Sequence, residues 1–133
     1  MGMNVGDTHE QVIIENISRT HIVKYAGASG DFNPLHHDDT MASGAAGYPT
    51  VFAHGMFSMG LTGTFLTDWL GHGKLRKYGV RFTKQVWPGD TLTARGEVTA
   101  VEEAGGKRLA TIKVVTTNQA GESVVEGEAV AEV

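Results

Sequence analysis

The spacing of hydrophobic positions changes about halfway along this chain. Residues Gly55–Leu70, placed at steps of about 100°, carry apolar side chains nearly all round a helix. Such a helix has no polar face to expose, so it must be buried on most of its sides. The pattern therefore predicts a long central helix over Gly55–Leu70, which Gly71 and Gly73 end.

After this helix, apolar and polar residues alternate, as they do in strands with one buried face. Four strands are predicted, over Lys77–Val86, Thr91–Val101, Arg108–Thr117 and Glu122–Val133. The segments between them are rich in turn-forming residues, and these turns lie at Trp87–Asp90, Glu103–Gly106 and Asn118–Gly121. One face of the second strand is expected to carry Leu92, Ala94, Gly96, Val98 and Ala100. The last three strands are expected to form an antiparallel meander.

The first half of the chain contains shorter elements. They are a strand over Glu10–Ile14, a helix over Arg19–Ala28, and a short helix from Asp38 or Asp39 to Gly44 or Gly47. Ser18 is the predicted N-cap of the first helix, and Gly30 ends it. Residues 30–37 then form an irregular loop, because Pro34 disfavours regular structure. One apolar helix with a long antiparallel sheet predicts an α+β fold, in which a bent sheet wraps around the helix.

Composition narrows the class of protein. A chain of 133 residues with 41% hydrophobic and 20% charged residues is expected to form one globular domain, over residues 1–133. It has no cysteine, which excludes disulfides, thiolate metal sites and cysteine nucleophiles within it. A formal charge of −4 gives no reason to expect nucleic acid binding. The N-terminal residues show no signal peptide and the longest apolar run is too polar to span a membrane, so we expect a cytoplasmic protein.

The loop between the first two helices holds a carboxylate and an imidazole, Asp31 and His36. Neither a helix nor a strand would bring side chains five residues apart to one point, but the turn at Asn33-Pro34 can do so. Asn33 is expected to hold that turn by bonding local backbone. A carboxylate beside an imidazole can hold one water molecule between an acid and a base.

The second candidate feature is His54-Gly55, directly before the central helix. A helix start presents free amide donors, which suit a carbonyl oxygen that gains negative charge during a reaction. Glycine at this position allows a ligand to approach closely. For His54 we favour a structural role, in which a hydrogen bond from its ring orients the loop, over contact with a substrate.

The segment Tyr25-Ala-Gly-Ala-Ser-Gly-Asp31-Phe-Asn33-Pro34-Leu-His36, followed by Ala53-His54-Gly55-Met56, resembles the MaoC-like family of (R)-specific enoyl-CoA hydratases and 3-hydroxyacyl dehydratases. The resemblance covers essentially the whole chain. It implies a hot-dog fold and an enzyme of fatty acid metabolism. The implied reaction is hydration of trans-2-enoyl-CoA, or the reverse dehydration of a (3R)-hydroxyacyl thioester carried by CoA or acyl carrier protein.

The resemblance also implies roles for particular residues. Asp31 and His36 would be the catalytic pair, and the Gly55 amide would contribute to an oxyanion hole. We assign deprotonation of water to Asp31 and protonation of Cα to His36, with the exchanged roles as the alternative. The residues expected near the substrate are Asn33, His54, Gly63 and Arg81. A homodimer, or a heterodimer with a related subunit, is implied, with neither a metal nor a redox cofactor.

Several alternatives stand beside these assignments. His36-His37-Asp38-Asp39 superficially resembles a metal cluster, but consecutive residues rarely converge on one ion. We expect His37 to face solvent and Asp38 or Asp39 to cap the short helix. The chain could instead be a hot-dog acyl-CoA thioesterase that uses Asp31 as its base, or a non-catalytic subunit of a heteromeric dehydratase.

Two further sets of residues have a structural and a functional interpretation. Gly60, Gly63 and Thr67 lie on one stripe of the central helix, which is expected to pack against another element, although Gly63 would also widen an acyl pocket. The chain also has a basic cluster, Arg76, Lys77, Arg81 and Lys84. These are either scattered surface charges or a site for the phosphates of a thioester carrier.

Overall fold

The computed structural model describes residues 3–133 and confirms the predicted α+β architecture. Residues 1 and 2 lie outside the described residues. They belong to the N-terminal stretch from which the absence of a signal peptide is predicted. The helices are α1 (Arg19–Ser29) and α2 (Gly55–Leu70), with a 3-10 turn at Pro34–His36 and a π-helical turn at Thr40–Ala45. The strands are β1 (Thr8–Ile14), β2 (Leu75–Phe82), β3 (Leu92–Ala104), β4 (Lys107–Thr117) and β5 (Ser123–Glu132).

All five strands form one sheet in the order β1-β3-β4-β5-β2, with antiparallel neighbours throughout. The meander of the last three strands is therefore confirmed. β1 and β2 lie at the two edges of this sheet. In the part of the chain that the structure describes, no helix is long and apolar enough to cross a membrane.

Helix α1 begins where the sequence predicts. The Ser18 hydroxyl accepts a hydrogen bond from the His21 amide at 3.1 Å, and the His21 ring accepts from the Ser18 amide at 2.9 Å. The two residues form a reciprocal capping box, which satisfies free amides at the helix start. At the other end Gly30 adopts a left-handed conformation with φ of 77°, so it closes the helix and turns the chain into the loop.

Helix α2 has the limits that the hydrophobic pattern predicts, and it packs across the sheet. Phe65 and Leu66 are buried against small and β-branched side chains of three strands, namely Ala94, Val98, Ala110, Ile112, Val114, Ala129 and Ala131. The hydroxyls of Thr62 and Thr116 share a buried hydrogen bond of 2.6 Å between α2 and β4. At Gly96 the sheet has no side chain, and Trp69 of α2 fills that space.

The structure corrects two details of the strand predictions. β2 ends at Phe82 rather than Val86, and residues 83–86 leave the sheet to form an irregular segment. In β3 a bulge lies between Val98 and Ala100, so the alternation changes there and Val101, rather than Ala100, packs against the core. A periodic pattern cannot reveal such an inserted residue.

Candidate active site

The loop after α1 is held by short-range hydrogen bonds to its own side chains. The Asn33 side-chain oxygen accepts from the Leu35 amide at 3.1 Å, as predicted, and an Asp31 carboxylate oxygen accepts from the Asn33 amide at 3.3 Å. Pro34 begins the 3-10 turn, whose first hydrogen bond joins the His36 amide to the Asn33 carbonyl at 3.0 Å. This turn carries His36 back towards Asp31, which neither helix nor strand could do.

His36 is a buried imidazole with one ring nitrogen committed to the fold. Its Nδ1 lies 2.7 Å from the Phe52 carbonyl oxygen. A carbonyl can only accept, so Nδ1 carries the proton and Nε2 is left with a free lone pair. Burial lowers the pKa of His36 below its usual value of 6.5, and the hydrogen bond to Phe52 opposes this effect without reversing it. The ring is therefore neutral at pH 7.

His54 is buried beside this ring and is tied to the loop. Its Nε2 donates to the Asp31 backbone carbonyl at 3.0 Å, which confirms the predicted loop-orienting hydrogen bond. Its ring stacks on that of His36 with centroids 3.9 Å apart, and Tyr25 packs against it at 4.9 Å. Among the described residues, Nδ1 of His54 has no hydrogen-bond partner. His54 thus links Asp31 to His36 through backbone and ring contacts.

The three side chains converge on a small volume. A carboxylate oxygen of Asp31 and one ring nitrogen from each of His36 and His54 all lie within 4.8 Å of one another. Such separations are of the size that one bridging water molecule spans. Because the two imidazoles stack 3.9 Å apart with an angle of only 26°, their in-plane lone pairs lie in two nearly parallel planes, which does not favour convergence on one ion. The donor set therefore suits a water molecule better than a metal ion.

Gly55 brings the start of α2 to the same place. It is the first residue of the helix, so its amide is one of those without an acceptor inside the helix. A cavity of about 320 Å³ lies beside it. Its lining combines buried and exposed residues of α2, the end of β2, the segment after β2, and β5, including Gly55, Ser58, Phe82, Lys84, Val86 and Val124.

Two of the residues predicted near the substrate lie elsewhere in this structure. The Tyr78 ring packs against Gly63, and the Tyr78 hydroxyl donates to the Met59 carbonyl at 2.8 Å. Tyr78 thus fills the space beside Gly63, which favours the packing role of Gly63 over a wider acyl pocket. Arg81 is exposed, pairs with Glu126 at 3.4 Å and does not line the cavity beside Gly55. It lies on the opposite side of β2 from Phe82, because neighbouring strand residues face opposite ways.

The basic cluster consists mostly of paired surface charges. Arg76 pairs with Glu132, and Lys84 lies 3.0 Å from Glu122. Together with the Arg81 pair, these contacts hold the edge strand β2 and the segment after it to β5 and its preceding turn. This favours the interpretation as surface charges.

The acidic and basic residues after His36 have structural roles. His37 is exposed, and its Nε2 lies 2.9 Å from the Phe32 carbonyl. Asp38 supplies the helix-capping contacts, since its carboxylate accepts from the Thr40 and Met41 amides at 3.0 and 3.3 Å. Asp39 instead lies 2.8 Å from Arg19. That contact and the bond from Thr50 lower the pKa of Asp39.

Sequence reasoning missed the contributions of Phe52 and Phe82. Phe52 acts through its backbone carbonyl, which any residue could supply, so no sequence signal marks it. Phe82 lies against Gly55 because β2 runs antiparallel to α2, and the alternation of Tyr78, Val80 and Phe82 on one face was the available signal.

One five-stranded antiparallel sheet packed against a long apolar helix is the hot-dog fold, which is the class of protein that this architecture defines. The family model described as "MaoC like domain" matches residues 2–123. The chain belongs to the MaoC-like family, which confirms the predicted resemblance and its hydro-lyase class.

Similar proteins support this membership. The chain is 39% identical over 106 residues to the 3-oxo-4,17-pregnadiene-20-carboxyl-CoA hydratase beta subunit of Mycobacterium tuberculosis, covering 79% of this chain and 78% of that protein. It is 34% identical over 127 residues to 3-hydroxyacyl-thioester dehydratase Y of the same organism, covering 89% of this chain but only 44% of that protein. Among solved structures, the (R)-hydratase from A. caviae involved in PHA biosynthesis superposes with a TM-score of 0.85 at 32% identity, covering 98% of this chain and 97% of the other.

Proposed function

We propose that this chain catalyses (R)-specific hydration of trans-2-enoyl thioesters, or the reverse dehydration of (3R)-hydroxyacyl thioesters. The observation that carries the proposal is the approach of Asp31, His36 and His54 to within 4.8 Å at the start of α2. A water molecule held there lies beside the free amide of Gly55, where a thioester carbonyl can accept a hydrogen bond. The hydratase and dehydratase names of similar proteins support the same reaction.

The tautomer of His36 favours the exchange of the roles first assigned to the pair. Nε2 of His36 accepts a proton from the water as the water oxygen bonds to Cβ of the enoyl group. The electrons of the alkene move onto the thioester oxygen, where the Gly55 amide stabilises the developing charge. The imidazolium then returns a proton to Cα, and the carbonyl forms again. Asp31 accepts the second hydrogen bond of the water and stabilises the imidazolium, so one molecule of water is added with no other reactant.

The proposal extends to the carrier, the partners and the compartment. The thioester carrier would be CoA or acyl carrier protein, and the reaction as written needs neither a metal nor a redox cofactor. We propose a homodimer, or a heterodimer with a related subunit. One similar protein is named as a beta subunit, which supports the heterodimer. The domain would be single, over residues 1–133, and the protein cytoplasmic.

The experiment is a spectroscopic assay with crotonyl-CoA. The conjugated enoyl thioester absorbs in the ultraviolet, so hydration removes that absorbance while the thioester stays intact. We expect loss of the enoyl absorbance without release of free thiol, and an unchanged rate after dialysis against EDTA. Release of free thiol would instead show a thioesterase. A protein inert on enoyl thioesters of several chain lengths, alone and with co-expressed related subunits, would overturn the proposal.

A further inference from the structure

The cavity beside Gly55 lies apart from the side chains assigned to the chemistry. It is bordered by Gly55 at the start of α2, but none of Asp31, His36 and His54 lines it. A thioester carbonyl carbon bears Cα on one side and sulfur on the other. Because the proposed reaction takes place at Cα and Cβ, an acyl chain whose carbonyl is held at Gly55 extends towards Asp31 and His36. The cavity is then left for the sulfur and the carrier.

The outer wall of this cavity has unpaired backbone groups. The wall is formed by residues 83–86, of which Lys84 and Gln85 are exposed. A hydrogen bond of 3.0 Å to the Val124 carbonyl holds the start of this segment, and one of 2.8 Å from the Ala53 amide holds its end. Lys84 and Gln85 lie between these contacts and take part in none of the main-chain hydrogen bonds found in the part of the chain that the structure describes. Their backbone groups are free to pair with the amides of a ligand.

A hydroxyl without a partner lies in the buried part of the cavity. Ser58 lines the cavity and is 2% exposed. The other hydroxyls of α2 are all bonded within the fold, namely those of Thr62, Thr64 and Thr67. No hydrogen bond of the Ser58 hydroxyl is found among residues 3–133. Because buried polar groups are nearly always paired, this hydroxyl indicates a ligand or a water molecule in the cavity.

The mixed lining suits a chain that carries both amides and hydrocarbon. Beside the polar groups of Ser58 and residues 84–85, the cavity offers apolar surface from valines. These are Val86, Val124 and Val125, each 3% exposed or less. A hydrocarbon chain would leave the polar groups without partners, whereas a pantetheine arm has amide groups separated by methylenes. The volume of about 320 Å³ is at the small end of the range typical of ligand pockets, which suits a slender chain.

We propose that this cavity holds the pantetheine arm of the thioester carrier, with the amides of the arm bonded to Ser58 and to the backbone of residues 84 and 85. The sulfur lies next to the Gly55 amide, and the far end of the arm leaves the cavity past the exposed Lys84 and Gln85. The same arm is present in CoA and in acyl carrier protein. This inference rests on the proposed function, because only a thioester carbonyl held at Gly55 directs the arm into the cavity.

The test compares carriers of different length on the same acyl group. Crotonyl-pantetheine has the whole arm, whereas crotonyl-N-acetylcysteamine keeps only the part nearest the sulfur. The carrier ratio is kcat/KM for the first substrate divided by kcat/KM for the second. Ser58→Leu adds carbons inside the cavity and is expected to lower the carrier ratio by about tenfold or more. Ser58→Ala removes only the hydroxyl and should lower it by about two- to tenfold, the effect of losing one neutral hydrogen bond.

A second ratio distinguishes the arm from the acyl chain. This acyl ratio is kcat/KM for trans-2-octenoyl-CoA divided by that for crotonyl-CoA, and it should be the same in Ser58→Leu and the wild type. The matched control is Thr64→Leu, a similar change at an exposed position of α2, which should leave both ratios unchanged. Hydration of crotonyl-CoA and of crotonyl-acyl carrier protein by the wild type shows which carrier presents the arm.

Circular dichroism and gel filtration show whether each variant keeps its fold and assembly, and Ser58→Ala decides the question if Ser58→Leu does not fold. An active wild type whose carrier ratio is unchanged in the Ser58 variants would overturn this inference alone. A fall of the acyl ratio in Ser58→Leu would overturn it as well, because the acyl chain would then occupy the cavity. A wild type that hydrates no enoyl thioester would overturn the proposed function, and this inference with it.

Discussion

At the scale of single residues, the site depends on one hydrogen bond that sequence reasoning could not find. The Phe52 carbonyl fixes the tautomer of His36 and so makes Nε2 the base. The Asn33-Pro34 turn, in contrast, could be predicted because its geometry follows from side-chain and proline chemistry. Side chains that act on their own backbone are visible in a sequence, whereas backbone groups that act on distant side chains are not.

The lowered pKa of His36 gives a dependence of stability on pH. In the unfolded chain the imidazole titrates near its usual 6.5, and burial holds the folded value below this. As pH falls through 6.5, the unfolded state takes up a proton that the folded state does not, so the free energy of unfolding decreases. We expect urea denaturation of the wild type to show this decrease between about pH 7 and pH 5.

His36→Gln should make that decrease shallower, because it removes one group that protonates more readily in the unfolded chain. Gln keeps an amide donor near the Phe52 carbonyl. Denaturation curves of both proteins, measured at the same series of pH values, provide the comparison. A variant that loses stability towards acid as steeply as the wild type would contradict this account of His36.

At the scale of elements, the site lies where the end of one helix meets the start of another. α1 ends at Gly30, directly before Asp31, and α2 begins at Gly55, directly after His54. The hydrophobic pattern predicted both limits of α2 because a nearly wholly apolar helix has sharp boundaries. The same pattern did not predict the end of β2. Residues 83–86 keep the composition of a strand, but their backbone leaves the sheet and lines the cavity.

The capping box predicts how α1 responds to changes at its start. Ser18→Ala removes the acceptor for the His21 amide and is expected to lower the free energy of unfolding by about 1 kcal/mol. Ser18→Asp keeps an acceptor at the N-cap and should retain most of the stability. Urea denaturation at pH 8 measures both. Equal stability of Ser18→Ala and the wild type would show that the cap is unimportant.

At the scale of the whole molecule, α2 lies against the sheet because inward-facing strand positions carry small residues. At Gly96 an added Cβ would lie 2.6 Å from a Trp69 ring carbon and 3.3 Å from an Ile112 methyl. The sequence predicted that Gly96 faces inward, but it could not show which side chain fills the space. The general plan of sheet around helix follows from periodicity, whereas the fit between the two layers depends on pairs of residues far apart in the chain.

Gly96→Ala is therefore expected to lower the free energy of unfolding by about 1–3 kcal/mol, the range for overpacking a core. The matched control is Gly79→Ala in β2, where an added Cβ would meet no atom within 4 Å. Its stability should be close to that of the wild type. In a Trp69→Phe background the cost of Gly96→Ala should shrink, because the indole ring carbon in the way is gone. An equal cost in both backgrounds would contradict this packing account.

The central claim is that Asp31 and His36 together activate one water molecule, and one pair of variants tests it most directly. Asp31→Asn keeps an acceptor for the Asn33 amide but loses the negative charge beside the imidazole. Asp38→Asn makes the same chemical change seven residues away, where the side chain only accepts from the Thr40 and Met41 amides.

The measurement is kcat/KM of each variant for hydration of crotonyl-CoA. We expect Asp31→Asn to lose about 10²–10⁴-fold, the range for general acid–base catalysis, because the His36 imidazolium then lacks the carboxylate that stabilises it. Asp38→Asn should remain close to the wild type. An Asp31→Asn protein that hydrates crotonyl-CoA as well as Asp38→Asn does would contradict the claim.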